Sequence, residues 1–281
     1  MTRRQRSTIA GRVDVTAMLL RDRRVTIRTY VPADYEWSDA EYRVIYMLDA
    51  HNLFDRCTST YNKEWRVDET MERLHRQGQW PPAVVAAIDA PQNKYDRMAM
   101  FSMGQWDYRR APGSRRLRRI DGYAEQTAAF LMEVVKPHIE RTYRVSRDRE
   151  HVAVAGSSMG GYMSLLLGGL YQQSVSKVMA FSPVALDFPM HGHLLRDLLT
   201  ARGSVPPQRF YLDMGDRERL DFTTHPAELV EHLAELRQSL EDAGHSQVLA
   251  RVIAGDRHDE RAWSRRFPQA YLWSFFGVEP G

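Results

Sequence analysis

Apolar residues in this chain gather in short runs, and after each run they recur every three or four positions. Val44-Ile45-Tyr46-Met47-Leu48, Ala83-Val84-Val85-Ala86-Ala87-Ile88, Val152-Ala153-Val154-Ala155, Val178-Met179-Ala180-Phe181 and Phe210-Tyr211-Leu212 have the length of strands covered on both faces. The intervening pattern predicts helices over 65–77, 123–143, 191–201, 226–243 and 260–275, and a last strand over 248–253. Pro137 predicts a kink in the second of these helices. Residues 24–31 alternate as a strand with one exposed face should, and Pro32 stops them; 11–19 predicts a hairpin partner. Strands alternating with helices predict an α/β fold. The sheet should be doubly wound and mostly parallel, with helices on both faces, in a single domain over 1–281.

One stretch breaks the rhythm. From 89 to 121, Met98, Met100, Phe101, Met103, Trp106 and Tyr108 are scattered among polar residues, with Arg109, Arg110, Arg115, Arg116, Arg118 and Arg119 behind them. This predicts a long inserted loop. Its arginines read either as a solvated surface or as a basic flap that draws in an anionic substrate. Its methionines and aromatics read as packing or as one wall of a pocket.

Composition narrows the function. The 39 Lys and Arg against 36 Asp and Glu leave a net charge of only +3. No aromatic-interleaved basic stripe accompanies that excess, so no nucleic-acid partner is expected. The basic start Met1-Thr2-Arg3-Arg4-Gln5-Arg6 is followed by Arg12, Asp14 and Arg21, which denies it the apolar core of a signal peptide. Nor does an apolar run reach membrane-spanning length, so no membrane partner is expected. The single cysteine, Cys57, excludes an internal disulfide and fits a reducing compartment, so the expected location is cytoplasmic. No metal-ligand spacing occurs, and no cofactor is implied. Oligomeric state is left open.

The chemistry centres on Gly156-Ser157-Ser158-Met159-Gly160, between the strand at 152–155 and an apolar helical run. A serine held in a strained turn at a strand's end exposes its hydroxyl, and side chains two residues before and after would collide, so both are glycine. A phosphate loop would carry Lys after its last glycine, but Tyr162 follows Gly161. Ser158 is therefore the candidate nucleophile. Its base should lie at the carboxyl end of another strand, as His258 does in Gly255-Asp256-Arg257-His258-Asp259. His225, before Pro226, reads as a helix cap; His191 and His193 read as surface residues. The orienting acid should follow the preceding strand, where Asp216 and Glu218 both qualify and the turn Gly215-Asp216-Arg217-Glu218 favours Glu218. Asp213 lies within the strand and can point away. The oxyanion amides should be those of Met159 and, in the turn Asp49-Ala50-His51-Asn52, His51.

Residues 44–55, Trp65-Arg66-Val67-Asp68-Glu69, Gly156-Ser157-Ser158-Met159-Gly160-Gly161 and His258-Asp259-Glu260-Arg261-Ala262-Trp263 resemble the putative esterase family of α/β-hydrolases. That family includes siderophore esterases, S-formylglutathione hydrolase, feruloyl and acetylxylan esterases and the mycolyltransferase antigens. The resemblance spans about 24–275 and implies Ser158 as nucleophile, His258 as base, an acid at Glu218 or Asp216, and oxyanion amides from Met159 and His51. Two positions depart from it: Ala50 stands where the family often has Gly, and Met98-Ala99-Met100 after Arg97 offers no Glu. The expected activity is serine carboxylester hydrolysis of a small-molecule ester through an acyl-enzyme. Acyl transfer would use the same triad. A non-catalytic ligand-binding homologue is disfavoured, because every triad position is filled.

Overall fold

A computed structural model describes residues 6–78, 80–109, 117–184, 192–201, 207–219 and 226–279. The chain begins with a hairpin, β1 (Arg12–Leu20) and β2 (Arg23–Val31). Its two-residue turn puts Arg21 and Asp22 at φ 50° and 59°, the positive-φ pair that matches the right-handed strand twist. Then come β3 (Arg43–Leu48), α1 (Val67–Arg76), β4 (Ala83–Ile88), α2 (Lys94–Phe101) and a second hairpin, β5 (Gln105–Arg109) with β6 (Leu117–Asp121). A long helix follows as α3 (Ala124–Ala129), a π-helical turn (Phe130–Val135) and α4 (Lys136–Thr142). The remaining elements are β7 (Val152–Ser157), α5 (Met159–Leu170), β8 (Lys177–Phe181), α6 (Gly192–Thr200), β9 (Arg209–Gly215), α7 (Pro226–Asp242), β10 (Gln247–Ile253) and α8 (Glu260–Phe276).

Eight strands form one sheet in the order β1-β2-β4-β3-β7-β8-β9-β10. Within this sheet, among the described residues, only the pairings of β2, with β1 and with β4, are antiparallel. Along each central strand the buried residues alternate between two cores. Val44, Tyr46, Leu48, Val152, Val154 and Leu212 face the core shared with α5; Ile45, Met47, Ala153, Ala155 and Tyr211 face the one shared with α1 and α8. A strand buried on both faces reads as one unbroken apolar run, and that is why these strands were legible without alternation.

The expected loop at 89–121 is largely structured. Asn93 accepts the amides of Tyr95 and Asp96 and so caps α2, while Met98, Met100, Phe101, Met103, Tyr108 and Ile120 are buried. Eight helical residues and two five-residue strands are too short to show a period, so burial of scattered large side chains set the structure instead. At Pro137 the irregularity takes the form of the π-helical turn just before it, where the Lys136 amide donates to the Leu131 carbonyl five residues back. A proline has no amide to continue the regular ladder, and the wider turn absorbs the mismatch.

Candidate active site

The carboxyl ends of the parallel strands carry the site. Ser158 joins β7 to α5 at φ 56° and ψ −122°, a conformation that costs a non-glycine residue about 1–3 kcal/mol. Two contacts hold it there: its amide donates to the Phe181 carbonyl at 2.9 Å, and its own carbonyl accepts from Tyr162 at 3.1 Å. A Cβ on Gly156 would lie 2.5 Å from the Gly160 carbonyl oxygen, and one on Gly161 would lie 3.0 Å from that of Phe181. The elbow thus demands glycine for steric reasons. Gly156→Ala forces backbone apart and should cost about 1–3 kcal/mol. The expected result is a fall in Tm of roughly 3–10 °C, read by thermal melting.

His258 and Glu218 meet directly. Glu218 Oε2 lies 2.7 Å from His258 Nδ1, and the carboxylate is fully buried. Its other oxygen accepts from the Ser182 hydroxyl at 2.6 Å and the Gly215 amide at 2.7 Å. Burial acts to raise its pKa; the hydrogen bond and charge of His258, with the bonds from Ser182 and Gly215, outweigh burial and hold it below its ordinary 4.5. Asp216 is exposed and accepts the Gly255 amide at 2.7 Å, while the imidazole's hydrogen bond goes to Glu218. Because the folded carboxyl is more acidic than the unfolded one, its contribution is complete above pH 4.5 and is lost as pH falls through the lower folded value. Glu218→Gln should therefore flatten the acid limb of Tm against pH below that point; an unchanged limb would refute this.

Ser158 and His258 line one cavity of about 410 Å³, together with His51, Trp65, Lys63 and Arg97. Trp263 stands edge-on to the imidazole, ring centres 5.0 Å apart at 86°, and its indole N–H donates to Ser182 Oγ at 2.9 Å. Met159 and His51 sit at the ends of the paired strands β7 and β3. Met159 opens α5, and the first amides of a helix have no partner within it. His51 lies in the single 3₁₀ turn Ala50–Asn52, entered through Asp49 at φ 58°. Arg97 grips both Asp49 carboxylate oxygens at 2.7 Å and so fixes that turn. Burial pushes the His51 imidazole below its ordinary 6.5, and its Nδ1 has no hydrogen-bond partner among the described residues.

Three groups stand behind the site, and of them the sequence weighed only Asp213, as a strand residue that can point away. Arg266, buried on α8, donates to Asp213 at 2.7 Å and lies 3.4 Å from Glu218 and 3.2 Å from Asp256. Asp213 turns inward, accepting also from Tyr211 at 3.0 Å and the Ser182 amide at 3.2 Å. Ser182, at φ 44°, bridges Trp263 and Glu218. The only hint was Ser-Pro at the end of β8, one place along from a strand end.

Two of the clustered arginines lie elsewhere. Arg118 and Arg119 share a separate cleft of about 460 Å³ with Arg21, Arg23, Tyr95 and Tyr123. Positions 110, 115, 116, 191 and 225, and the side chains of Arg109 and His193, lie outside the described residues. The cavity wall from this stretch is Pro91, Gln92, Lys94 and Arg97 rather than the methionines, which pack in the core. Among the described residues no group of side chains could hold a metal ion, and no helix is long and apolar enough to cross a membrane.

A strained turn and a buried acid–imidazole pair at the strand ends of a doubly wound sheet define the class: this is an α/β-hydrolase. The family model described as "Putative esterase" matches residues 19–274. The chain belongs to that family and is an esterase. It is similar to an uncharacterized protein YbbA of Bacillus subtilis, 19% identical over 90% of this chain and 93% of the relative. Solved structures with the same fold include the siderophore hydrolase EstA of Aspergillus nidulans, 17% identical with TM-score 0.72 over 95% of this chain and 96% of that one. Another is an IroE-like serine hydrolase of Shewanella oneidensis, 16% identical with TM-score 0.74 over 95% and 82%.

Proposed function

We propose that the protein hydrolyses carboxylic esters through an acyl-enzyme on Ser158, within a single domain. The observation that carries this reading is the 2.7 Å contact between His258 and buried Glu218, with His258 opening on the cavity that holds the strained Ser158. His258 takes the proton as Ser158 Oγ attacks the ester carbonyl, and Glu218 holds the imidazolium that forms. The amides of Met159 and His51 receive the negative charge of the tetrahedral oxygen. The alcohol leaves with the proton from His258, and water then enters the same cycle to release the acid. A cytoplasmic location fits the single exposed cysteine.

A fluorophosphonate probe should add one label to the intact protein, and tandem mass spectrometry should place it on Ser158. Labelling elsewhere, or none alongside active turnover of p-nitrophenyl acetate, rejects the assignment. Product analysis with and without an added alcohol acceptor separates hydrolysis from acyl transfer, since only transfer yields a new ester.

A further inference from the structure

His258 is shared by two cavities. On one side it closes the cavity that holds Ser158 and the His51 turn. On the other it opens on a larger one, about 610 Å³, whose wall carries Arg217, Arg219 and Arg257. All three arginines are exposed, and none has an ion-pair partner among the described residues. The one carboxylate among the described lining residues is Asp216, already engaged by the Gly255 amide. Among the described residues the wall therefore presents three guanidiniums against one occupied carboxylate.

Formation of the proposed acyl-enzyme fixes which half of an ester meets which wall. The carbonyl oxygen must reach the oxyanion amides of Met159 and His51, on the Ser158 side. When the tetrahedral intermediate collapses, the bond between the carbonyl carbon and the alcohol oxygen breaks. Its electron pair stays on that oxygen, which takes from His258 the proton that Ser158 gave up. The alcohol oxygen must then lie within hydrogen-bond reach of His258, the residue that also lines the second cavity. Guanidiniums recognise planar and tetrahedral oxyanions through paired N–H donors.

The geometry points to a substrate whose alcohol half bears an oxyanion, held by Arg217, Arg219 and Arg257 in the cavity beside His258. This inference rests on the esterase reading above and adds a polarity to it: the negative charge belongs on the leaving alcohol and not on the acyl group.

The test compares two ester pairs. In 4-acetoxybenzoate and 4-acetoxybenzamide the alcohol half is anionic or neutral; in monophenyl succinate and phenyl acetate the acyl half is. Each pair is read as a ratio of kcat/KM, anionic over neutral, in the wild type and in Arg219→Gln/Arg257→Gln. Comparing protein with protein cancels the intrinsic reactivity of the esters. The alcohol-side ratio should fall about tenfold in the double variant, chiefly through KM, as two exposed charge contacts would give. It should also fall with added salt in the wild type, while the acyl-side ratio stays put. An alcohol-side ratio indifferent to both changes overturns the inference, as does a fall confined to the acyl-side pair. If the wild type turns over none of the four esters, the esterase reading fails and takes the inference with it.

Discussion

Ser158→Ala is expected to lower kcat/KM for p-nitrophenyl acetate by at least about 10⁴-fold, the scale seen when a triad nucleophile is removed. The remaining turnover should come from the oxyanion amides and binding alone. This substitution separates chemistry from fold unusually well. Alanine keeps the Cβ, so the cost of holding position 158 at φ 56° is unchanged, and Tm should stay within a few degrees of the wild type. Ser158→Gly makes the complementary point: it too should lack activity, but it removes the steric penalty and should raise stability by about 1–3 kcal/mol. A Ser158→Ala protein that keeps more than a tenth of the activity assigns the nucleophile elsewhere. If Ser158→Gly proves less stable than Ser158→Ala, the strain at this turn is not what its dihedral angles imply.

Arg266→Met should be the most damaging single change to stability, costing about 3–5 kcal/mol, because it leaves buried carboxylates without their cation. Arg266 and Asp213 are 4% and 0% exposed, and the same guanidinium approaches Glu218 and Asp256. Burial already raises the Asp213 carboxyl to about 6, against the attraction of Arg266 and the hydrogen bond from Tyr211. Without Arg266 that rise must be larger. An acid with a raised folded pKa favours the folded state when protonated, so its contribution fades as pH climbs through the folded value. The deficit of Arg266→Met should therefore be greater at pH 8 than at pH 5. Adding Asp213→Asn, which cannot ionise, should recover much of the loss at the higher pH and little at the lower. Denaturant melts at the two pH values, read as a double-mutant cycle, decide the matter: a pH-independent deficit below about 1 kcal/mol rules the charge network out.

The contrast between Ser158 and Arg266 shows what a single sequence can disclose. The elbow is local: Gly156, Ser158 and Gly160 act on one another within five residues, so their steric reason is visible in the spacing. Glu218 and His258, which the structure brings into contact, were legible as candidates because the fold class sends working groups to strand ends, which the apolar runs mark. Arg266 obeys neither rule. It reaches Asp213 and Glu218 across 53 and 48 residues, because α8 folds back over β9, and in sequence it is one more arginine beside Arg265. Asp213 was read as a strand residue whose side chain can point away, since period two does not say which face of a doubly covered sheet holds a charge. The segment 94–121 failed for another reason. A capped eight-residue helix and a short hairpin carry too few positions for a period, and the packing of Met98, Met100 and Phe101 reveals itself only against the sheet.

Three neighbouring strand tips are laced together where the chemistry sits. The amide of Ser158 is tied to Phe181, that of Ser182 to Asp213, and that of Gly215 to the Glu218 carboxylate. The proposed nucleophile and acid thus hang on one bonded edge instead of on independent loops. Heat should then silence such a catalyst only when the sheet itself gives way, so that activity and folded structure vanish over the same few degrees.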